Sequence, residues 1–140
     1  MARAVALART RVGATGANPA VGCVIVRDGR VLAEGATAAG GSPHAEESAV
    51  SAFAADALRG ATAFVTLEPC GERSSGALSC AEQLVRVGVA RVIVACADGS
   101  VMAQGRGLAH LREAGVRVEV GLLADEAAPL YASYRARLTR

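Results

Sequence analysis

Two stretches of the chain hold residues that could do chemistry together. Residues 41–50 read GSPHAEESAV and residues 66–80 read TLEPCGERSSGALSC. The first holds His44 and, two positions on, Glu46; the second holds Cys70 and Cys80. One imidazole and two thiolates suit Zn²⁺, which takes nitrogen and sulfur ligands tetrahedrally. Three protein ligands leave a fourth position for water, the pattern of a catalytic rather than a structural site. His44 and Cys80 each fall where a helix is expected to start, and there the helix dipole favours thiolate over thiol. Glu46 cannot share the helix face of His44, yet within the first turn it can point across the same pocket. A carboxylate in that place can take a proton from water and deliver it to a leaving nitrogen.

Each residue also has a plainer reading. His44 could be a helix-start histidine without a metal, Cys70 and Cys80 buried small hydrophobes, and Glu46 a partner of the helix dipole. The four in combination favour the metal. A nucleophilic hydrolase built on Cys70 and His44 would leave Cys80 and Glu46 without jobs. Glu68 is read as bonding backbone groups of its loop, and Cys23 and Cys96 as core residues. His110 is read as a surface or interface residue in mid-helix. Arg73, Ser74 and Ser75 could hold a phosphate or form a solvated loop. The Arg-rich tail YRARLTR is read as a solvated helix face.

The elements that must position these residues follow from periodicity and turn signals. Residues 2–12 place Ala4, Val5, Leu7, Ala8 and Val12 on one side of a helix, and GATGANP breaks it. AVGCVIV (20–26) is a buried strand, Asp28-Gly29 a hairpin turn and RVLAEG (30–35) the returning strand. Helices are expected at 44–57, 80–87, 105–115 and 125–140, with strands at 61–67, 91–97 and 116–121. The hairpin starts a sheet that crossover helices continue. That order predicts a three-layer α/β/α sandwich around a mixed five-stranded sheet.

Composition bounds the rest. At 140 residues, 52% hydrophobic and 20% charged, one folded domain is expected and disorder is not. A net charge of +2 demands neither nucleic acid nor an acidic membrane. Two Phe, two Tyr and no Trp leave few rings on which bases could stack. No apolar run reaches the ~18 residues of a membrane span, and the N-terminus lacks the plan of a leader. The reading is a cytoplasmic protein with a small-molecule substrate, no nucleic acid and no membrane partner.

His-x-Glu followed by Pro-Cys and a later Cys matches the zinc deaminase signature. Through NPAVGCVIVRDGRVLAEG (18–35), SPHAE (42–46), ATAFVTLEPC (61–70), GVARVIVACAD (88–98) and GLAHLREAGVRVEVGLLADEA (107–127), the chain resembles the zinc-dependent cytidine deaminase superfamily. Within it the chain looks like the riboflavin-biosynthesis type, the diaminohydroxyphosphoribosylaminopyrimidine deaminases. The resemblance implies that His44, Cys70 and Cys80 hold zinc and that Glu46 is the proton shuttle. It implies that Asn18 hydrogen-bonds the substrate ring. The loop 71–79, with Arg73 and Ser74, would face the substrate and help hold its ribose phosphate. It also implies a homodimer or larger homo-oligomer, and one zinc domain over 1–140 without the reductase domain that the type often carries.

Three positions depart from that type: Thr37 stands for a histidine, Glu72 for another, and Asp98-Gly99-Ser100 for Asp-Pro-Asn. The loop between the cysteines is one residue longer. Alternatives are a deaminase of another nucleobase or nucleoside, of cytosine or guanine kind, and a non-catalytic zinc relic. The tRNA-editing type usually has Pro-Cys-x-x-Cys, against nine residues between Cys70 and Cys80 here.

Overall fold

A computed structural model describes residues 1–100 and 103–139. The apolar run Gly22–Arg27 forms β1 and Arg30–Ala36 forms β2. Asp28 and Gly29 between them take positive φ, 53° and 74°, which a two-residue hairpin turn requires of both central residues. With β3 (Thr62–Leu67), β4 (Arg91–Cys96) and β5 (Arg117–Val120) they make one sheet of order β2-β1-β3-β4-β5. β1 runs antiparallel to β2 and β3, and the β3–β4 and β4–β5 pairs are parallel. This is the expected mixed five-stranded sheet.

The helices are α1 (Ala2–Arg9), α2 (Ala45–Val50), α3 (Cys80–Val87), α4 (Arg106–Glu113), α5 (Ala124–Ala127) and α6 (Ala132–Leu138). Two glycines show how they are layered. Gly22 pairs with Ala36, and Cys23 with Gly35. Opposed residues of antiparallel strands share a face, and neighbours along a strand alternate. A Cβ on Gly22 would run into the Ala4 carbonyl of α1, whereas one on Gly35 would lie 2.5 Å from the Ala45 carbonyl oxygen of α2. So α1 and α2 cover opposite faces. α3 packs on α2 and α4 on α3, while Tyr131 meets Thr66 on the α1 face, where its hydroxyl lies 2.6 Å from the Thr66 hydroxyl. The result is the three-layer α/β/α sandwich. Ile25, Val65, Val92, Val94 and Leu84 are fully buried between the layers, each contributing about 1.5–3 kcal/mol of hydrophobic transfer. Cys23 and Cys96 belong to this core, as read from their strands.

Several boundaries move for local reasons. α1 ends at Arg9, not residue 12: the Thr10 hydroxyl donates to the Leu7 carbonyl at 2.7 Å, and Val12 is 57% exposed instead of on the apolar side. α2 stops at Val50, not 57, because the Arg86 guanidinium of α3 donates to the Val50 and Phe53 carbonyls at 3.3 and 2.8 Å. The single last helix expected over 125–140 is α5, a 3₁₀ turn over Ala128–Tyr131, and α6. Pro129 lies in that turn and cannot donate to a continuing α-helix. Arg140, the end of that expected helix, lies outside the described residues. Among the described residues no helix is long and apolar enough to cross a membrane.

Candidate active site

The crossovers on the α2 face bring the two stretches together. β2 leads through Ser42 and Pro43 to His44, the N-cap of α2, and β3 leads into the loop that holds Cys70. Cys80 is the first residue of α3. A capping box sets that start: the Ser79 hydroxyl accepts from the Glu82 N–H at 3.2 Å, and the Glu82 carboxylate accepts from the Ser79 N–H at 2.6 Å. The Cys80 N–H then donates to Cys70 Sγ at 3.3 Å.

The His44, Cys70 and Cys80 donor atoms lie within 4.8 Å of one another. His44 Nδ1 is 3.4 Å from Cys80 Sγ and 3.8 Å from Cys70 Sγ. Nitrogen and sulfur bound tetrahedrally to one zinc at ~2.0 and ~2.3 Å stand about 3.5 Å apart. The group therefore fits Zn²⁺ in donor type and in spacing. Without a metal, the two thiols and the imidazole shift one another. The Cys70 thiol is brought down to about 4, chiefly by its hydrogen bond with Cys80, with further help from His44 and the Cys80 N–H. Cys80 is pushed up, by that same bond and by burial. His44 is raised, first by its bond with Cys70.

Glu46, at the second position of α2, is 3% exposed. Burial pushes its carboxyl up to about 7. It shares with His44, Cys70 and Cys80 a cavity of about 130 Å³ whose wall includes Asn18, Thr37, Glu68, Asp98 and Tyr134. Asn18 lies in that wall, its amide N–H donating to the Gly41 carbonyl at 2.9 Å. Arg73 and Ser74 lie outside this cavity, in an adjoining one of about 360 Å³ with Ser42, Glu47, Glu72 and Ser75. Arg73 is not a solvated loop residue: its side chain is 12% exposed and ion-pairs with Glu47 of α2 at 2.8 Å. Glu72 pairs with Arg106 at 2.6 Å.

Glu68 plays the structural part read for it. One oxygen accepts from the Gly105 N–H at 2.7 Å and the other from the Asp98 N–H at 3.2 Å. Thr37 is buried, and its hydroxyl accepts from the Val21 N–H at 2.9 Å and donates to the Pro19 carbonyl at 3.1 Å. That braces the segment carrying Asn18. His110 stays on α4, away from the cavity lining. The tail is the exposed helix face read for it over the described residues 134–139, with one addition: Tyr134 lines the cavity, and Arg135 and Arg137 donate to the Ala97 and Ala17 carbonyls at 3.1 and 3.0 Å.

The family described as "Cytidine and deoxycytidylate deaminase zinc-binding region" matches residues 1–96. The chain belongs to this family. It is 42% identical over 138 residues to the riboflavin biosynthesis protein RibD of Escherichia coli, covering 99% of this chain and 37% of that one. It is 34% identical over 126 residues to the diaminohydroxyphosphoribosylamino-pyrimidine deaminase of Buchnera aphidicola, covering 90% and 84%. Among solved structures, the deaminase/reductase of Thermotoga maritima superposes with a TM-score of 0.90 at 34% identity, over 99% of this chain and 40% of that one. The dCMP deaminase of cyanophage S-TIM5 does so with 0.54 at 25% identity, over 71% and 79%. The chain thus spans well under half of the E. coli and T. maritima proteins and most of the Buchnera and cyanophage ones.

Proposed function

We propose that this protein is a zinc-dependent hydrolytic deaminase acting on the diaminohydroxyphosphoribosylaminopyrimidine of riboflavin biosynthesis. The observation that carries the chemistry is a buried carboxyl, Glu46, in one small cavity with His44, Cys70 and Cys80. The names of the Buchnera and Thermotoga relatives support the substrate. In this reading His44 Nδ1 and the sulfurs of Cys70 and Cys80 hold Zn²⁺, which supplies Lewis-acid activation of water near neutral pH. Glu46, raised to about 7, is matched to proton exchange at that pH. It takes a proton from the attacking water and returns it to the amine nitrogen; ammonia leaves and a ring carbonyl remains. Asn18 binds the ring through the amide groups not held by Gly41. Arg73 and Ser74, in the adjoining cavity, bind the phosphate-bearing substituent, with Arg73 oriented by Glu47. The protein works in the cytoplasm as a homodimer or larger assembly, a reading supported by the exposed Val120 on edge strand β5 and Leu122 just beyond it.

The test is ammonia release by the purified zinc-loaded protein, with cytosine, guanine and their nucleosides alongside. Turnover of the diaminopyrimidine phosphate on the order of 1 s⁻¹ or more is expected. Turnover of another ring alone would keep the chemistry and overturn the substrate. Silence on all, with zinc bound, would favour the non-catalytic relic.

A further inference from the structure

Asp98 and Tyr134 line the cavity and have no part in the chemistry above. Asp98 lies just beyond β4, and Tyr134 stands on α6. The phenol O–H reaches Asp98 Oδ1 at 3.3 Å and Oδ2 at 3.2 Å. Ser100 supplies two more donors, its N–H to Oδ1 at 2.9 Å and its hydroxyl to Oδ2 at 3.0 Å. A carboxylate offers about four lone-pair sites, so the three donors among the described residues leave Asp98 able to accept one more. Glu68 is committed to the backbone N–H groups of Asp98 and Gly105, which shape its loop, and the Thr37 hydroxyl is held between Val21 and Pro19. Asp98 is therefore a prepared acceptor in this wall, beside Asn18.

Tyr134 also forms the wall itself. With Asn18 and Pro19 it lines a second cavity, of about 310 Å³, between residues 12–20 and α6. The ring thus stands between the two spaces while its hydroxyl holds the carboxylate. Burial raises the phenol pKa, so the group remains a hydrogen-bond donor through the neutral range.

We propose that Tyr134 is a positioning residue for substrate binding: it holds the Asp98 carboxylate in the cavity wall as the acceptor for a ring or exocyclic N–H of the substrate, so that docking of α6 completes the site. The substrate in this statement rests on the deaminase reading above; the Tyr134–Asp98 contact does not. A phenol that only docked α6 would affect stability and leave substrate affinity alone.

The test uses the full zinc-loaded chain, with Tyr134→Phe, Asp98→Asn and the double variant. Tyr134→Phe keeps the ring and so the wall. It is expected to raise KM about tenfold, the size of one hydrogen bond to a charged group, with kcat within about twofold. Asp98→Asn is expected to raise KM at least as much, and the double variant no further than Asp98→Asn alone, because the two act through one bond. An unchanged KM in Tyr134→Phe, or effects that multiply in the double variant, would overturn the proposal. Should wild type bind the diaminopyrimidine phosphate without turning it over, the deaminase reading fails, and Kd replaces KM in the same comparison.

A second readout needs no substrate. The chain has two tyrosines and no tryptophan, so its ultraviolet emission comes from Tyr131 and Tyr134. A phenol bonded to a carboxylate is quenched. Asp98→Asn is expected to brighten the wild-type emission and to leave that of Tyr134→Phe unchanged. Equal emission with and without the Asp98 carboxylate would overturn the proposal whatever the substrate is.

Discussion

The N–H of Cys80 donates to Cys70 Sγ at 3.3 Å, and the next N–H, of Ala81, donates to the Cys70 carbonyl at 3.1 Å. The first turn of α3 therefore grips Cys70 by sulfur and by backbone. Two would-be zinc ligands ten residues apart are held by one helix start. The Ser79–Glu82 capping box keeps that start in place. Ser79→Ala should cost about 1 kcal/mol in a denaturant melt. It should also weaken zinc binding several-fold in a chelator competition, since it loosens the turn that aims at Cys70. Lost stability with unchanged zinc affinity would show that the cap serves the helix alone.

Metal-free protein should carry one reactive thiolate. Cys70 is brought down to about 4, whereas Cys80 and Cys23 are pushed well up, the latter chiefly by burial. Iodoacetamide at pH 6 should label Cys70 first, and zinc should protect it. Because this pKa is lowered in the fold, its contribution to stability is present above the ordinary thiol value and is lost as pH falls through about 4. Labelling of Cys70 that begins only above pH 8 would contradict this picture.

Glu46→Gln keeps the shape of the buried side chain and removes its proton exchange. Turnover should fall by about 10²–10⁴-fold with zinc stoichiometry unchanged. The same variant reads the burial cost. A carboxyl raised from 4.5 to about 7 stabilises the fold while protonated. In metal-free protein that contribution is full below about 4.5 and is lost as pH rises through about 7. Glu46→Gln should therefore raise the melting temperature of metal-free protein more at pH 8 than at pH 5. An equal shift at both would mean that Glu46 is not titrating there.

Gly35→Ala tests how the sheet positions α2. The added Cβ would lie 2.5 Å from the Ala45 carbonyl oxygen and 2.6 Å from the Ala49 N–H nitrogen, both backbone atoms that cannot swing aside. The helix carrying His44 and Glu46 must lift. A loss of about 1–3 kcal/mol is expected, together with a drop in kcat well beyond what stability alone explains. Gly29→Ala, in the hairpin turn away from α2, should cost stability through backbone strain at φ 74°, with no clash, and spare kcat.

The metal group was readable because ligand identity is chemistry before it is geometry. One histidine, two cysteines and a nearby glutamate, in a chain with only two histidines, admit few joint explanations. The sheet was readable because β-branched runs and an Asp-Gly turn are local signals. That a hairpin starts the sheet and crossover helices continue it was readable too, while the order β2-β1-β3-β4-β5 came only with the fold. Glu68 was readable for a similar reason: a carboxylate among loop N–H groups has obvious partners.

Arg73, Asp98 and Tyr134 could not be placed this way. In one dimension Arg73 is a cation in a polar loop, open to either a phosphate or solvent. Its ion pair with Glu47 exists only because the loop folds back over α2. Tyr134 sits in a tail with no apolar face to betray burial, and its partner Asp98 is 36 residues away. The end of α2 likewise depends on Arg86 reaching across from α3. The sequence by itself determined the donor types, the carboxyl beside them, the strands and the layer plan, because each rests on side-chain chemistry or on periods of a few residues. Tertiary structure alone decided the burial that lifts Glu46, the helix start that lowers Cys70 and the tyrosine that lines the cavity, because desolvation and long-range hydrogen bonds depend on what the fold brings alongside.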